Sequence, residues 1–397
     1  MKALVHASEV ITGQGIRDKD GRRPLLEDMG RIRDGAIVHD DKKILWVGKT
    51  SELPKKFSKV KKTNLKQKSL VMPGLVDSHT HLIHAGSRSE EFAARCRGAT
   101  YEEIALKGGG IQTTVKATRA ASSSELFHLA KKRIESALKF GVTTIESKSG
   151  YGLSHADEIK ILEVNQKLKK AFPKLNFQST YMGAHDFPKD QSRSAYLQEI
   201  CDKTLPVIAK KKLADACDIF VDQGYYTLDE ARKILGLAKK LGLKIKLHAD
   251  ELHNTESAAL ATELGALSAD HLLKISDASI EKISQSNTVA VLLPGTAFYL
   301  KAAYAPARKL INAGACVALS TDFNPGSCNC FSQPLIMTLA ALYMGMSEAE
   351  IFAGFTYNAA KALGLEVKTG TLTPGLRPDL ALLHFDKFED MYHQLGW

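Results

Sequence analysis

The sequence predicts an α/β protein built as a parallel (β/α)8 barrel, with a small β-sandwich domain formed by its N- and C-terminal segments. From about residue 70 onward, short apolar runs alternate with longer amphipathic stretches, the pattern of parallel strands joined by helices. Eight apolar runs occur, whereas the two ends of the chain are rich in turns. In such a barrel, functional residues are expected at the C-terminal ends of the strands.

Each strand candidate is a short run of apolar residues, and several runs are β-branched. In chain order they read SLVMPGLVDSH, VTTIESKS, FQSTYMGAH, CDIFVDQG, LKIKLHAD, LSADHL, TVAVLLPG and CVALSTDF. Periodicity alone leaves an open, doubly wound sheet as an alternative. A count of eight favours the closed barrel.

The helix candidates between these runs have an apolar stripe at helical spacing, and several of them end in glycine. They include SELFHLAKKRIESALKFG, LDEARKILGLAKKLG, NTESAALATELGA and APARKLINAGA. A later segment, SEAEIFAGFTYNAAKALGL, also predicts an amphipathic helix. Its pattern indicates core packing rather than chemistry.

The two ends of the chain are expected to pair into one small β domain. DGAIVHDDKKILWVG predicts a hairpin with a polar turn, and TGTLTPGLRPDLALLHFD predicts turns followed by a strand. We therefore expect residues 1–70 and 366–397 to form the small domain and residues 71–365 to form the barrel.

The composition limits the class of protein. With 44% hydrophobic and 25% charged residues in 397, the chain is globular. The start, MKALVHASEV, lacks the pattern of a signal peptide, and no run of eighteen apolar residues occurs, so we expect a cytoplasmic protein that does not span a membrane. The charge of +10 comes from scattered lysines, which indicates a solvated surface rather than a nucleic-acid groove.

The six cysteines show no framework spacing, so we expect free thiols. Cys328 and Cys330, in SCNC, are too closely spaced for an ordinary zinc knuckle. We interpret them as small residues without a ligand role.

Histidines and one aspartate stand at the ends of predicted strands. His79 and His81 are two residues apart, so they share a face of the strand and point into the barrel mouth, while His84 falls in the following loop. His248 and Asp322 end two other strands. Taken alone each has a plainer interpretation, such as a turn-capping aspartate. Together they form a set that a catalytic metal ion could use.

Several motifs in the sequence resemble those of a known family. PGLVDSHTH, HADE, SADH and STDFNPGS resemble the amidohydrolase superfamily, and SRSEEF, ESKSGYGL, YMGAH and TDFNPGS narrow it to the imidazolonepropionases. The resemblance covers nearly the whole chain. It implies hydrolysis of a ring amide bond of 4-imidazolone-5-propanoate to N-formimino-L-glutamate, with no carboxylated lysine at Lys148. It also implies one zinc or iron ion per chain, held by His79, His81, His248 and Asp322.

The resemblance also implies the catalytic residues. Glu251 would carry the proton from water to the departing ring nitrogen, and His271 would stabilise the oxyanion or share that transfer. Strand parity favours Asp250 instead, because it shares a face with His248; Glu251 reaches the site only if the chain bends after His248. The alternative for His271 is a buried structural histidine.

The resemblance further implies a substrate-binding set and a homodimer. The guanidinium of Arg88 would hold the propionate carboxylate, although a lone loop arginine is more often simply solvated. Tyr151 and His185 would hold the ring and its carbonyl. The rest of the pocket lining would come from Asn324, Gly326 and Ser327.

Two other functions fit the same motifs less well. A cytosine- or guanine-type aminohydrolase shares the metal set but does not call for Arg88 or the SGYGL loop, and a non-catalytic scaffold would not need intact ligands.

The C-terminus departs from the pattern of the family. The chain ends at FEDMYHQLGW, whereas relatives usually continue through a further apolar segment, so we expect a truncated chain or a sandwich with fewer strands.

Overall fold

The computed structural model describes residues 1–99 and 109–395 and has two sheets. Eight parallel strands follow one another in chain order around one sheet, and six strands form the other. The strands are β1 (Lys2–Ile11), β2 (Arg31–His39), β3 (Ile44–Lys49), β4 (Lys61–Asn64), β5 (Leu70–Pro73), β6 (Leu75–Asp77), β7 (Val142–Lys148), β8 (Asn176–Ala184), β9 (Ala216–Val221), β10 (Lys244–Ala249), β11 (Ser268–His271), β12 (Val289–Leu292), β13 (Val317–Leu319) and β14 (Leu380–Leu383). The predicted α/β class is confirmed.

Helices connect the parallel strands. The α-helices are α1 (Gln14–Asp18), α2 (Ser89–Cys96), α3 (Ile111–Ala120), α4 (Ser123–Lys139), α5 (His155–Ala171), α6 (Arg193–Gln198), α7 (Leu205–Lys211), α8 (Leu228–Lys240), α9 (Ser257–Leu264), α10 (Asp277–Ser284), α11 (Pro294–Leu300), α12 (Ala307–Ala313), α13 (Gln333–Met344), α14 (Glu348–Phe355), α15 (Tyr357–Lys361) and α16 (Glu389–His393). Short 3-10 turns cover Leu26–Met29, Thr50–Glu52 and Lys55–Phe57, and a π turn covers Glu199–Thr204.

Local sequence signals set the helix ends. The Thr227 side chain accepts a hydrogen bond from the Glu230 N–H at the start of α8, and the Glu230 carboxylate accepts one from the Thr227 N–H, a capping box. The helices α9 and α12 end on Gly265 and Gly314, both with positive φ. The sequence predicts that several helices end in glycine, and these two glycines occupy such helix ends.

The eight-stranded sheet closes beyond the ends of its first and last strands. Thr80 forms a parallel bridge with Phe323, and the Asp322 N–H donates to the His79 carbonyl at 3.1 Å. Below this bridge, the buried Asp77 carboxylate accepts the Thr321 N–H at 3.0 Å. The closure therefore brings the ends of β6 and β13 together at the barrel mouth.

The smaller sheet joins both ends of the chain, as the sequence predicts. Its order is β14-β5-β1-β2-β3, with β4 also paired to β1. The predicted hairpin is present as the antiparallel pair β2 and β3, and Asp40 in its turn accepts the N–H groups of Lys42 and Lys43 at 2.7 and 2.8 Å. Antiparallel pairing of β14 with β5 ties the C-terminal strand to residues 70–73.

The run SLVMPGLVDSH forms two strands, whereas the sequence predicts one. Gly74 separates β5, in the small sheet, from β6, in the barrel. A Cβ atom on Gly74 would lie 2.0 Å from Thr143 Oγ1, so only glycine fits where the two sheets meet. Apolar alternation marks a strand but does not say which sheet the strand joins.

The segment SEAEIFAGFTYNAAKALGL also differs from its prediction of one helix. It forms α14 and α15, separated at Thr356, whose φ and ψ are −124° and −98°. Both helices are almost entirely buried, which agrees with the predicted packing role.

All six cysteines are free thiols. Among residues 1–99 and 109–395, every helix is too short or too polar to cross a lipid bilayer.

Candidate metal centre and active-site cavity

Three histidines and an aspartate converge at the barrel mouth. His79 and His81 follow β6 directly, and their ring centroids are 5.5 Å apart. The ring of His248, in β10, lies 4.5 Å from that of His79. Asp322 Oδ1 lies 3.4 Å from His79 Nε2 and 3.8 Å from His81 Nε2. All four side chains are buried, so the sequence-predicted ligand set is brought together.

The donor atoms fit a metal ion. His79 Nε2, which faces Asp322, is buried without a hydrogen-bond partner among the described residues, which is costly unless a ligand satisfies it. Burial holds the pKa values of His79 and His81 well below the usual range, so both imidazoles are neutral, the form that binds metals.

Two overlapping groups have metal-ligand spacing, with ligand atoms within 4.8 Å of one another. One contains His79, His81 and His248, and the other contains His79, His271 and Asp322. The distances between ligand atoms alone therefore do not exclude His271 as a metal ligand. His84 lies outside both groups and, although it follows the strand, it is buried, with its Nδ1 3.0 Å from the His81 carbonyl.

A layer of buried carboxylates lies behind the histidines. Asp270 Oδ2 is 2.6 Å from His79 Nδ1, which fixes the tautomer of that ring and turns Nε2 toward the site. Asp218 Oδ2 is 3.2 Å from His248 Nδ1. Asp218, His248 and Asp270 lie in β9, β10 and β11. Because these strands are adjacent in the sheet, the carboxylates lie next to the histidines.

Two buried lysines balance this negative charge. Lys148 Nζ lies 2.5 Å from Asp218 and 2.9 Å from Glu146, and Lys246 Nζ lies 2.9 Å from Glu146 and 3.6 Å from Asp270. Burial opposes the charged form of Lys148, but the carboxylates outweigh it and raise its pKa. Lys148 is thus a cation held beneath the site.

The chain bends after β10 and directs Glu251 to the site. Asp250 has a φ of 49°, and its carboxylate accepts the N–H groups of Thr255 and Ala258 at 2.9 and 3.2 Å, away from the histidines. Glu251 lines the cavity, with Oε1 3.4 Å from His271 Nδ1. Burial, followed by the charges of two aspartates, raises the pKa of Glu251 well above the usual range. Strand parity favours Asp250, but because of this bend Glu251, and not Asp250, lines the cavity among the described residues.

Three site residues have left-handed backbone conformations. Asp250, His271 and Asp322 have φ angles of 49°, 80° and 51°, and each lies at or just past the end of a parallel strand. Such conformations are unfavourable for residues other than glycine and concentrate at functional sites.

One cavity of about 580 Å³ contains the predicted residues. Its size is in the range of small-molecule sites. Every predicted site residue except His79, which lies behind it, lines the cavity: His81, Arg88, Tyr151, His185, His248, Glu251, His271, Asp322, Asn324, Gly326 and Ser327. Aromatic side chains complete the walls, among them Phe92, Phe220 and Tyr299.

Arg88 is held on the cavity wall. Its Nε donates to Glu91 Oε2 at 2.8 Å, and Glu91 Oε1 accepts from the Gly110 N–H and the Thr113 hydroxyl at 3.1 and 2.9 Å. A Cβ atom on Gly326 would lie 2.0 Å from Arg88 Nη1. Glycine at this position therefore leaves the space that the guanidinium occupies.

Tyr151 and His185 lie next to the histidines at the barrel mouth. The His185 ring stacks on His81 at 5.1 Å, and its Nδ1 lies 3.2 Å from the Gly150 carbonyl. A carbonyl only accepts, so Nδ1 carries the proton and Nε2 is an acceptor; burial lowers the pKa of His185 to about 3. The buried Glu158 carboxylate accepts the Gly152 N–H at 2.7 Å and so holds the Tyr151 loop.

Asn324 shapes the last loop of the site. Its Oδ1 accepts the N–H groups of Gly326 and Ser327 at 2.8 and 2.7 Å. The Asn324 N–H donates to the Cys328 carbonyl at 2.8 Å. Cys328 is buried and Cys330 half-buried, and among the described residues neither belongs to a group with metal-ligand spacing.

Sequence reasoning missed the residues that support the site. Asp270 and Asp218 back the histidines, and the Thr296 hydroxyl donates to Asp322 Oδ2 at 2.6 Å. A signal was present, since a charged residue inside an otherwise apolar parallel strand, such as Asp218 in CDIFV, is almost never buried without a partner.

The chain is similar to known proteins over nearly its whole length. Residues 70–393 match the model of the Amidohydrolase family. The imidazolonepropionase of Porphyromonas gingivalis is 42% identical over 99% of this chain and 93% of its own length, and that of Symbiobacterium thermophilum is 44% identical over 96% and 90%.

Solved structures resemble the fold at low identity. A triazine hydrolase variant superposes with a TM-score of 0.72 at 16% identity, over 98% of this chain and 87% of that one. A zinc-bound adenosine deaminase of Xanthomonas campestris gives 0.70 at 17% identity, over 96% and 84%. These two likenesses concern the fold alone.

Proposed function

Because the chain belongs to the amidohydrolase family and, within it, to the imidazolonepropionases, we propose that it hydrolyses the ring amide C–N bond of 4-imidazolone-5-propanoate. The product is N-formimino-L-glutamate, and the reaction belongs to histidine degradation. The protein is an enzyme that acts on carbon–nitrogen bonds of a small cyclic molecule.

One observation carries the proposal at the level of the site. One cavity is lined both by His81, His248 and Asp322 of the metal-type cluster and by the guanidinium of Arg88. The substrate has two matching parts, a ring amide to be hydrolysed and a carboxylate tail. Arginine binds carboxylates through two parallel hydrogen bonds, which supports binding of the tail at Arg88 and of the ring beside the histidines.

The chemistry needs an activated water and a proton carrier. When bound, a divalent ion makes hydroxide available near neutral pH by lowering the pKa of water to about 7. Glu251 accepts the proton of the attacking water and delivers it to the ring nitrogen as the C–N bond breaks. A carboxyl group with a raised pKa suits this work, because a proton carrier is most effective near the operating pH.

Neutral imidazoles surround the reacting carbonyl. The pKa of His271 lies well below its usual range, first because of burial, and its Nδ1 is 3.4 Å from Glu251. His271 stabilises the developing oxyanion or shares the proton transfer with Glu251. His185 and Tyr151 hold the ring, and the loop of Asn324, Gly326 and Ser327 closes the pocket.

The test is a paired measurement on the purified protein. The loss of imidazolone absorbance is followed after fresh 4-imidazolone-5-propanoate is added, and the metal content of the same sample is determined by elemental analysis. We expect about one metal per chain and turnover well above the spontaneous rate. Release of ammonia from cytosine or guanine without imidazolone turnover would instead identify an aminohydrolase, and a metal-free folded protein without turnover would identify a scaffold.

Five finer assignments belong to the same proposal. The bound ion is zinc or iron, since both accept nitrogen and oxygen ligands. The enzyme works in the cytoplasm as a homodimer, with neither nucleic acid nor membrane as a partner. Residues 71–365 form the catalytic unit, with residues 1–70 and 366–397 as the small domain.

A further inference from the structure

The segment that carries Glu251 is anchored by a carboxylate from a neighbouring strand. Asp222 directly follows β9, and its side chain is fully buried. Its Oδ2 accepts the N–H groups of Leu252 and His253 at 2.8 and 3.3 Å. Its Oδ1 accepts the Gln223 N–H at 2.8 Å and lies 2.8 Å from His253 Nδ1. Three of these four contacts therefore reach the two residues after Glu251.

The residue before Glu251 is anchored as well. Asp250 donates its N–H to the Ser257 hydroxyl at 2.9 Å, and its carboxylate accepts the Thr255 N–H at 2.9 Å. Its carbonyl accepts the Lys274 N–H at 2.8 Å. Glu251 lines the cavity together with Leu252, and both neighbours of Glu251 are tied to the surrounding chain by hydrogen bonds.

We propose that Asp222 is a positioning residue for Glu251. It holds the backbone of Leu252 and His253 so that the Glu251 carboxylate stays 3.4 Å from His271 Nδ1. Within the described part of the chain, Asp222 does not line the cavity, so it acts through Glu251 and not on the substrate. This inference rests on the proposed role of Glu251.

A carboxylate is the group that this position needs. All four contacts are donated to Asp222, and a carboxylate offers two acceptor oxygens and no donor. Asparagine has the same shape but one acceptor oxygen, so its NH2 group would meet at least one pair of N–H donors. The isosteric change therefore loosens the segment without creating a cavity.

The test is Asp222→Asn in the metal-loaded enzyme, assayed with 4-imidazolone-5-propanoate. We expect kcat to fall about 10- to 100-fold, because misplacing a catalytic group by about 1 Å has effects of this size, while KM stays within about threefold. Amide hydrogen exchange at Leu252 and His253 should become faster, and metal content should be unchanged. Asp40→Asn is the matched control, since Asp40 also accepts two backbone N–H groups, but in the remote hairpin turn.

Two outcomes would overturn the proposal: an unchanged kcat in D222N, or unchanged exchange at residues 252 and 253. If the wild-type enzyme itself failed to turn over this substrate, the proposed function would fall, and exchange alone would decide the role of Asp222 as an anchor. If D222N did not fold, His253→Ala would remove one donor from a half-exposed side chain. It should speed exchange and lower kcat about twofold to tenfold, the worth of one hydrogen bond; no change in either would refute the anchor.

Discussion

Replacing Gly326 with alanine tests the proposed binding of the substrate tail. The backbone of Gly326 does not have a positive φ, so alanine fits the chain conformation. Its Cβ would lie 2.0 Å from Arg88 Nη1 and 2.8 Å from Arg88 Cζ. The guanidinium must retreat by about 1.4 Å to reach ordinary van der Waals contact, and it does so as the far end of a flexible side chain. The fold should therefore be unaffected.

The expected effect of G326A is on KM. A tail contact binds the ground state and the transition state alike, so its loss raises KM and leaves kcat nearly unchanged. A displacement of more than 1 Å should raise KM about 10- to 100-fold. The assay is the initial rate of imidazolone loss over a range of substrate concentrations. Gly236→Ala is the matched control, because a Cβ at Gly236, in α8, would meet no atom within 4 Å.

A double-mutant cycle distinguishes an effect through Arg88 from direct obstruction of the pocket by the new methyl group. Arg88→Ala alone should raise KM strongly. If the methyl group acts by displacing the guanidinium, adding G326A to that variant changes KM by less than about twofold, since the two changes then share one interaction. Independent, multiplying effects would refute the reasoning, and so would an unchanged KM in G326A alone.

Three further predictions concern the metal centre and its support. Asp322→Ala should abolish metal retention and turnover together, as measured by elemental analysis and the imidazolone assay; a variant that kept its metal would exclude Asp322 as a ligand. Asp270→Asn should weaken metal affinity about 10- to 100-fold by releasing His79, measured by competition with a chromogenic chelator, and wild-type affinity would contradict that role. Lys246→Met should lower the free energy of unfolding by about 3–5 kcal/mol because it leaves buried carboxylates uncompensated. Urea denaturation would measure this, with the exposed Lys309→Met as control; equal midpoints would argue against the network.

The repeating strands and helices of the barrel can be predicted from the sequence. The alternation of apolar runs and amphipathic stretches identifies all eight barrel strands, because each buried parallel strand needs an apolar run of its own. The same reasoning places His79, His81, His248 and Asp322 at strand ends, where a barrel gathers functional residues. The structure brings all four side chains to one site.

Features that depend on single backbone angles were not predictable from periodicity. The direction of Glu251 depends on the left-handed φ of Asp250, and a pattern with a period of two residues assigns the wrong neighbour to the site. Likewise, the division of one apolar run at Gly74 depends on the close approach of Thr143, a residue far away in sequence.

Pairings between strands were hidden for a related reason. Lys148 in β7 and Asp218 in β9 come from different strands, so their contact exists only once the strands have assembled into the sheet. A charged residue in an apolar run shows that a partner is needed, but not which residue provides it. The anchoring of Leu252 by Asp222 is of the same kind.

The arrangement of the small sheet sets the order in which the enzyme can be completed during synthesis. Strand β5 leads through Gly74 into β6 and on to His79, so the first metal-type histidine is made within about the first fifth of the chain. Yet β5 shares only two register pairs with β1 and four with β14 (Leu380–Leu383). The strand that completes the support beside β5 is therefore synthesised long after the first histidine.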